Sequence, residues 1–256
     1  VRVSLTEEPE YEIPVARALV DRYSKRTVAA LEESAKPLTV DPFAFSRRAS
    51  TEIHNIGGPN VPVVIADLSA IEVDLHNIKQ TGHHYLSAQD KWAASDHAAD
   101  YLYLGSKEPE INFPGAVGHI LDYPLWASAE RRVNQYPLFK VDNYLPLERL
   151  SFLKINISEE VLPKELAART VLLLSTDSEY GMQHLRRFVD NLKSRNIHNP
   201  VIFQRSYQNL TEQEVQLFGA TDLGGLLVDG FGDGVMIDSA STDLSVATAF
   251  GTLQAA

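Results

Sequence analysis

Thr170-Val171-Leu172-Leu173-Leu174-Ser175, then residues 181–195 with Met182, Leu185, Phe188, Val189 and Leu192 on one helical face, then Val201-Ile202-Phe203-Gln204, form the stretch whose reading decides the fold. Both apolar runs are continuous rather than alternating, so each is covered on its two faces, as strands of a parallel sheet are. The amphipathic segment between them reads as the covering helix. The same rhythm extends in both directions: Val61-Pro62-Val63-Val64-Ile65-Ala66-Asp67, Tyr101-Leu102-Tyr103-Leu104, Val117-Gly118-His119-Ile120-Leu121, Leu138-Phe139-Lys140-Val141 and Phe152-Leu153-Lys154-Ile155-Asn156 before it, and Gly225-Leu226-Leu227-Val228 and Val235-Met236-Ile237-Asp238 after it. Thr211-Glu212-Gln213-Glu214 adds a capping box at the start of another helix. About eight or nine strands in about 200 residues predict an α/β fold, a (β/α)8 TIM-barrel-like domain, with an open doubly wound sheet as the second architecture.

Toward the amino end the pattern changes. Val1-Arg2-Val3-Ser4-Leu5 reads as a strand, and Thr6-Glu7-Glu8-Pro9-Glu10 as a cap leading into a helix carrying Ile13, Ala16, Leu19 and Val20. Pro14 is compatible with that helix in or near its first turn. Residues 1–23 therefore form one strand-helix unit, residues 24–42 a linker, and residues 43–256 the barrel. Residues 43–48 and 52–56 flank small polar residues and predict a hairpin before Gly57-Gly58-Pro59-Asn60. The unit at the start resembles the last one, Val235 onward, which suggests that it closes one barrel while the rest forms a related one. A start without Met and an end within a helical pattern predict a piece of a longer chain.

Composition narrows the chemistry. The chain has 256 residues, 44% apolar and 22% charged, enough for a sizeable core. It has no cysteine, which excludes disulfides, thiolate-held zinc or iron and a cysteine nucleophile within this polypeptide. A formal net charge of -11 disfavours nucleic acid and anionic membranes as partners. The absence of a long apolar run or a signal-peptide pattern predicts a cytoplasmic protein.

Candidate ligand residues are the polar groups near the carboxyl ends of the expected strands, where barrels carry their sites: Asp67, Lys154, Asn156, Arg205, Asp229 and Asp233. Asp229-Gly230-Phe231-Gly232-Asp233-Gly234 reads first as a tight turn needing positive φ, since its aspartates would repel an anion. Asp229, Asp233 and Asp238 together could hold a hard cation, without any fixed ligand spacing to support it. His83 and His84 have no acidic partner at zinc-helix spacing, and His119, inside an apolar run, reads as a buried neutral histidine. Arg47-Arg48 reads as a surface or interdomain salt-bridge pair. No nucleophile with an adjacent base, no paired carboxylate set and no phosphate loop emerges, so no catalytic, cofactor-binding or metal residue is assigned.

Residues 1–16, 170–177, 200–207 and 220–234 carry a resemblance, above all 224–234, Gly-Gly-Leu-Leu-Val-Asp-Gly-Phe-Gly-Asp-Gly. The chain resembles the insert, or middle domain, of the large three-domain form of 4-hydroxy-3-methylbut-2-enyl diphosphate synthase, an enzyme of the methylerythritol phosphate route to isoprenoids. The resemblance runs over essentially the whole chain. It implies a bacterial iron-sulfur oxidoreductase as the parent, converting 2-C-methyl-D-erythritol 2,4-cyclodiphosphate reductively to 4-hydroxy-3-methylbut-2-enyl diphosphate. It further implies a 4Fe-4S cluster held elsewhere in the parent, with the catalytic barrel and the iron-sulfur domain of the same chain as partners and a flavodoxin or ferredoxin as electron donor. The family's cluster cysteines and its Gly-Pro-Gly-Glu motif do not occur here, so the fragment itself is expected to be a spacer barrel without activity. The alternative is a ligand-binding or donor-docking regulatory barrel.

Overall fold

A computed structural model describes residues 9–24, 40, 41, 43–108, 111, 113–128 and 133–256. The chain divides into two compact units, Val1–Thr39 and Val40–Ala256. In the first unit, helix α1 spans Pro9–Ser24 and takes Pro14 in its second turn, one turn later than the sequence favours. The strand expected over residues 1–5, its likeness to the final unit and most of the linker expected over 24–42 lie outside the described residues.

The second unit is a closed, all-parallel eight-stranded barrel. Strand β1 (Val63–Asp67) is followed by helix α2 (Leu75–Lys79) and a small antiparallel hairpin of β2 (His83–Leu86) and β3 (Lys91–Ala94). The barrel resumes with β4 (Tyr101–Gly105), β5 (Gly118–Asp122), helix α3 (Tyr123–Ser128), β6 (Gln135–Lys140), β7 (Ser151–Asn156) and β8 (Thr170–Ser175). It ends with helix α4 (Gly181–Ser194), β9 (Val201–Tyr207), helices α5 (Glu212–Gly219) and α6 (Gly225–Val228), β10 (Gly234–Ser239) and helix α7 (Thr242–Ala255). Strands neighbour one another in the order β1-β10-β9-β8-β7-β6-β5-β4, and β4 closes onto β1.

The continuous apolar runs arise because each strand serves two cores. Ile65, Tyr101, Phe152, Leu173, Ile202 and Met236 fill the barrel interior, while Val64, Leu102, Phe139, Leu174 and Phe203 face the covering layer. Interior packing is tight: a Cβ on Gly118 would lie 2.3 Å from the ring of Tyr101, so only glycine leaves room for it. On the outside, α4 buries Leu185, Val189 and Leu192. Helix α5 opens with the expected capping box, the Thr211 amide donating to Glu214 Oε2 at 2.8 Å and the Glu214 amide to Thr211 Oγ1 at 3.3 Å.

Two expectations are corrected, and one hairpin is new. Residues 225–228 are helical, not a strand: the chain leaves α5 through a wider π-type turn over 220–224 and continues into α6. Four apolar residues fit a helix as well as a strand, and here the preceding helix decides. His83 and His84 lie on a hairpin, where the sequence gives too short an alternation to announce a strand. Residues 43–62 form no hairpin of strands beyond one bridge between Ile53 and Ile56. They plug the barrel's amino-terminal end, with Ile53 and Ile56 joining the interior core.

This plug is pinned by charge. Asp233, at the turn before β10, accepts from Arg47 Nη2 at 3.0 Å, from Ser50 Oγ at 2.7 Å and from the Val201 amide at 2.9 Å. Arg48 donates from Nη2 to the carbonyls of Ile197 and Asn199 at 2.7 and 3.0 Å. The Arg47-Arg48 pair therefore closes the barrel from within instead of lying free on a surface. Gly230 and Gly232 have φ of 77° and 89°, as a turn built on glycine requires. A Cβ at Gly230 would meet the Ser46 carbonyl at 2.2 Å, so the plug crosses the turn in backbone contact.

Candidate functional site

Alternation along each strand decides which polar groups reach the barrel mouth. On β9, Ile202 belongs to the interior, whereas Phe203 and Tyr207 belong to the outer layer. Gln204 and Ser206 therefore face inward and Arg205 outward. The same count aims Asp67 of β1, Tyr103 of β4, Asp122 of β5, Lys154 and Asn156 of β7 and Asp238 of β10 into the mouth.

The mouth carboxylates are each engaged by neighbours. Asp67 accepts from the amide and hydroxyl of Ser69 at 2.9 and 2.6 Å. Burial holds its carboxyl above the usual range, reinforced by the charge of Asp238, while Ser69 and Lys154 pull it back. Asp122 accepts from the Tyr103 hydroxyl at 2.8 Å and from Ser106 Oγ at 2.7 Å. Burial and then this bond push the Tyr103 phenol well above its ordinary value. Asp238 accepts from Ser206 Oγ at 2.9 Å and Gln208 Nε2 at 3.0 Å. Asn156 donates to Asp177 at 2.6 Å.

Three groups differ from these, one of them Lys140 of β6, which the count from Leu138 brings inward in register with Lys154. Lys154 has no hydrogen-bond or ion-pair partner among the described residues, and it faces Asp67 from the opposite wall, β1 and β7 being four strands apart in the closed ring. Gln204 is 7% exposed, and its Oε1 has no hydrogen-bond partner.

Of the six candidates from the sequence, the mouth brings together Asp67, Lys154 and Asn156. Arg205 points the other way, donating to the Thr176 carbonyl at 2.6 Å and to Asp222 at 3.1 Å. Burial disfavours its charge, but Asp222 and Tyr207 together more than offset it, so the guanidinium holds its proton above the ordinary range. Asp229 ends α6 and pairs with Arg186 of α4. Asp233 lies at the opposite, plugged end. Asp229, Asp233 and Asp238 are thus not assembled into a cation site, and among the described residues no three His, Asp or Glu side chains converge on one. His119 is buried, as expected for a neutral histidine, but its Nε2 has no carbonyl partner. Gln204 and Tyr103 were not singled out from the sequence. The phase of alternation would have found them, but a run that is apolar on both faces conceals that phase.

The donor set does not suit an iron-sulfur cluster: such clusters sit on thiolates, and the chain has no cysteine. No helix among the described residues is long and apolar enough to cross a membrane.

No family model matches the chain. Curated relatives do. A protein of Parabacteroides distasonis named 4-hydroxy-3-methylbut-2-en-1-yl diphosphate synthase (flavodoxin) is 32% identical over 265 residues, covering 100% of this chain and 40% of the relative. Proteins with the same name from Bacteroides fragilis and Bacteroides thetaiotaomicron are each 31% identical, covering 100% of this chain and 39% and 40% of their own lengths. The chain spans about two fifths of the length of these relatives. It is therefore a homologue, from end to end, of one segment of the 4-hydroxy-3-methylbut-2-en-1-yl diphosphate synthases, and it belongs with that family as a part of its length.

Proposed function

We propose that this barrel is the structural insert of a large 4-hydroxy-3-methylbut-2-enyl diphosphate synthase, and that it spaces and packs the parent's other domains without performing chemistry itself. The parent, on this reading, is a cytoplasmic enzyme that reduces 2-C-methyl-D-erythritol 2,4-cyclodiphosphate with electrons from a flavodoxin or ferredoxin. Its 4Fe-4S cluster is held by three cysteines and a glutamate outside this chain. Residues 1–23 belong to the last strand and helix of the preceding catalytic barrel, residues 24–42 link the two, and residues 43–256 are the insert.

The observation that carries this reading is the apolar surface at the plugged end. Phe43 is 96% exposed, Phe45 70% and Val61 80%, beside a groove lined by Phe45, Pro59, Val61, Pro62 and Phe231. Exposed apolar groups gathered at one end of a domain suit a packing surface for another domain. Helix α7 adds to it: its only charge is Asp243, and Ala247, Gly251 and Ala255 are exposed. A helix without a polar face fits a covered position. The mouth carboxylates, each bound to an intrachain hydroxyl, support a role without catalysis.

The test is made in the full-length synthase. Replacing Phe45 and Val61 with serine should lower turnover about tenfold, through looser domain placement, while the cluster absorbance persists. The 256-residue chain alone should not convert the cyclodiphosphate when given a reductant. Turnover by the isolated chain, or full activity in a synthase lacking residues 40–256, would remove the proposal.

A further inference from the structure

The barrel mouth has three groups left over once its internal bonds are counted: Lys154, Gln204 and Lys140 of β6, which the count from Leu138 brings inward in register with Lys154. Asp67, Asp122 and Asp238 are occupied by Ser69, by Tyr103 and Ser106, and by Ser206 and Gln208. Lys154 remains as a cation with no hydrogen bond or close ion pair among the described residues, its charge acting on Asp67 across the mouth. Gln204 Oε1 remains as an acceptor without a donor, on a side chain only 7% exposed. An acceptor kept unpaired in a barrel interior costs stability, and Met or Leu would fill the same space without that cost. The position is also not forced by the strand: Gln204 lies in register with Met236 of β10, so an apolar residue is already accommodated alongside.

We propose that the mouth binds a small hydroxylated anion, a sugar acid or sugar phosphate, with its acidic group on Lys154 and a hydroxyl donating to Oε1 of Gln204. The complement follows from what is unsatisfied: a cation calls for an anion, and an acceptor calls for an O–H or N–H donor. An ammonium donor is disfavoured because Lys154 would repel it. The site lies at the carboxyl ends of the strands, where barrels gather ligands.

The probes are gluconate and glucose 6-phosphate, titrated calorimetrically into the chain, with glucose, acetate and inorganic phosphate as controls. At least one of the two hydroxylated anions should bind with a Kd of about 1 mM or tighter, and each control about tenfold more weakly. The stronger of the two identifies carboxylate or phosphate as the preferred head group. Lys154→Met and Gln204→Met should each weaken binding about tenfold. Gln204→Met should also leave the thermal midpoint unchanged or raised, since it removes the orphaned acceptor, so its loss of binding is not a loss of fold. Absence of binding by both probes, equal binding of glucose, or affinity that survives both substitutions would overturn the proposal.

Discussion

The ring of His119 points outward from β5 into the layer over the sheet, with the Phe113 ring 4.2 Å away and no partner for Nε2. Burial pushes its pKa from 6.5 down to about 4. Between those values the unfolded chain takes up a proton that the folded chain refuses, so stability falls as pH drops from 6.5 toward 4. The imidazole alone accounts for about 3 kcal/mol over that span. Asp67 and Asp100, both raised by burial, act in the opposite sense, so the His119 contribution is read by difference. His119→Leu should lose less stability than the parent chain between pH 7 and pH 4.5, followed by urea denaturation. Parallel losses would assign the acid sensitivity elsewhere.

Helix α4, the mouth-side end of β8, the π-type turn and β9 are held by one guanidinium. Arg205 binds Thr176 and Asp222, and the Tyr207 hydroxyl lies 3.1 Å from both Asp222 and the Phe218 carbonyl. Gly181 opens α4 against it, where a Cβ would meet the guanidinium carbon at 2.7 Å. Asp222→Ala strands a buried cation and should cost about 3–5 kcal/mol, seen as a lower urea midpoint with an unchanged slope. Gly181→Ala should displace the same group, so the double variant should fall short of additivity by about 0.5–3 kcal/mol, whereas unrelated effects would sum. At the other end, Asp233→Ala removes the acceptor shared by Arg47, Ser50 and Val201 and should cost about 3 kcal/mol in the same assay. These ties explain what the sequence could announce. The eight strands were legible because each is buried on both faces, and the capping box fixed α5 by local bonds alone. The plug was not legible, because Arg47 meets Asp233 across 186 residues of sequence. Nor was the inward aim of Gln204 against the outward aim of Arg205, since adjacent polar residues at a strand end look alike until the register is known. Gly225 to Val228 went astray because four residues carry no period, and the helix before them extends through the π-type turn.

Taken whole, the barrel contains its own means of closure. Every residue of the interior and outer cores lies within 40–256 among the described residues, and the plug, the ring of strands and the covering helices belong to the same compact unit. A closed ring has no open strand edge through which to lose cooperativity. A chain starting at Val40 should therefore unfold in one transition with a thermal midpoint within about 2 °C of the 256-residue chain, a difference below about 1 kcal/mol at this size. The comparison bears directly on the spacer reading. A barrel that keeps its midpoint alone is rigid enough to hold two other domains at a fixed separation, and exposed Phe43, Phe45 and Val61 are then free to pack outward instead of completing its core. A fall of about 10 °C would mean that Val1–Thr39 completes the fold, so that the barrel sets no distance by itself and the domain boundary near residue 40 is misplaced.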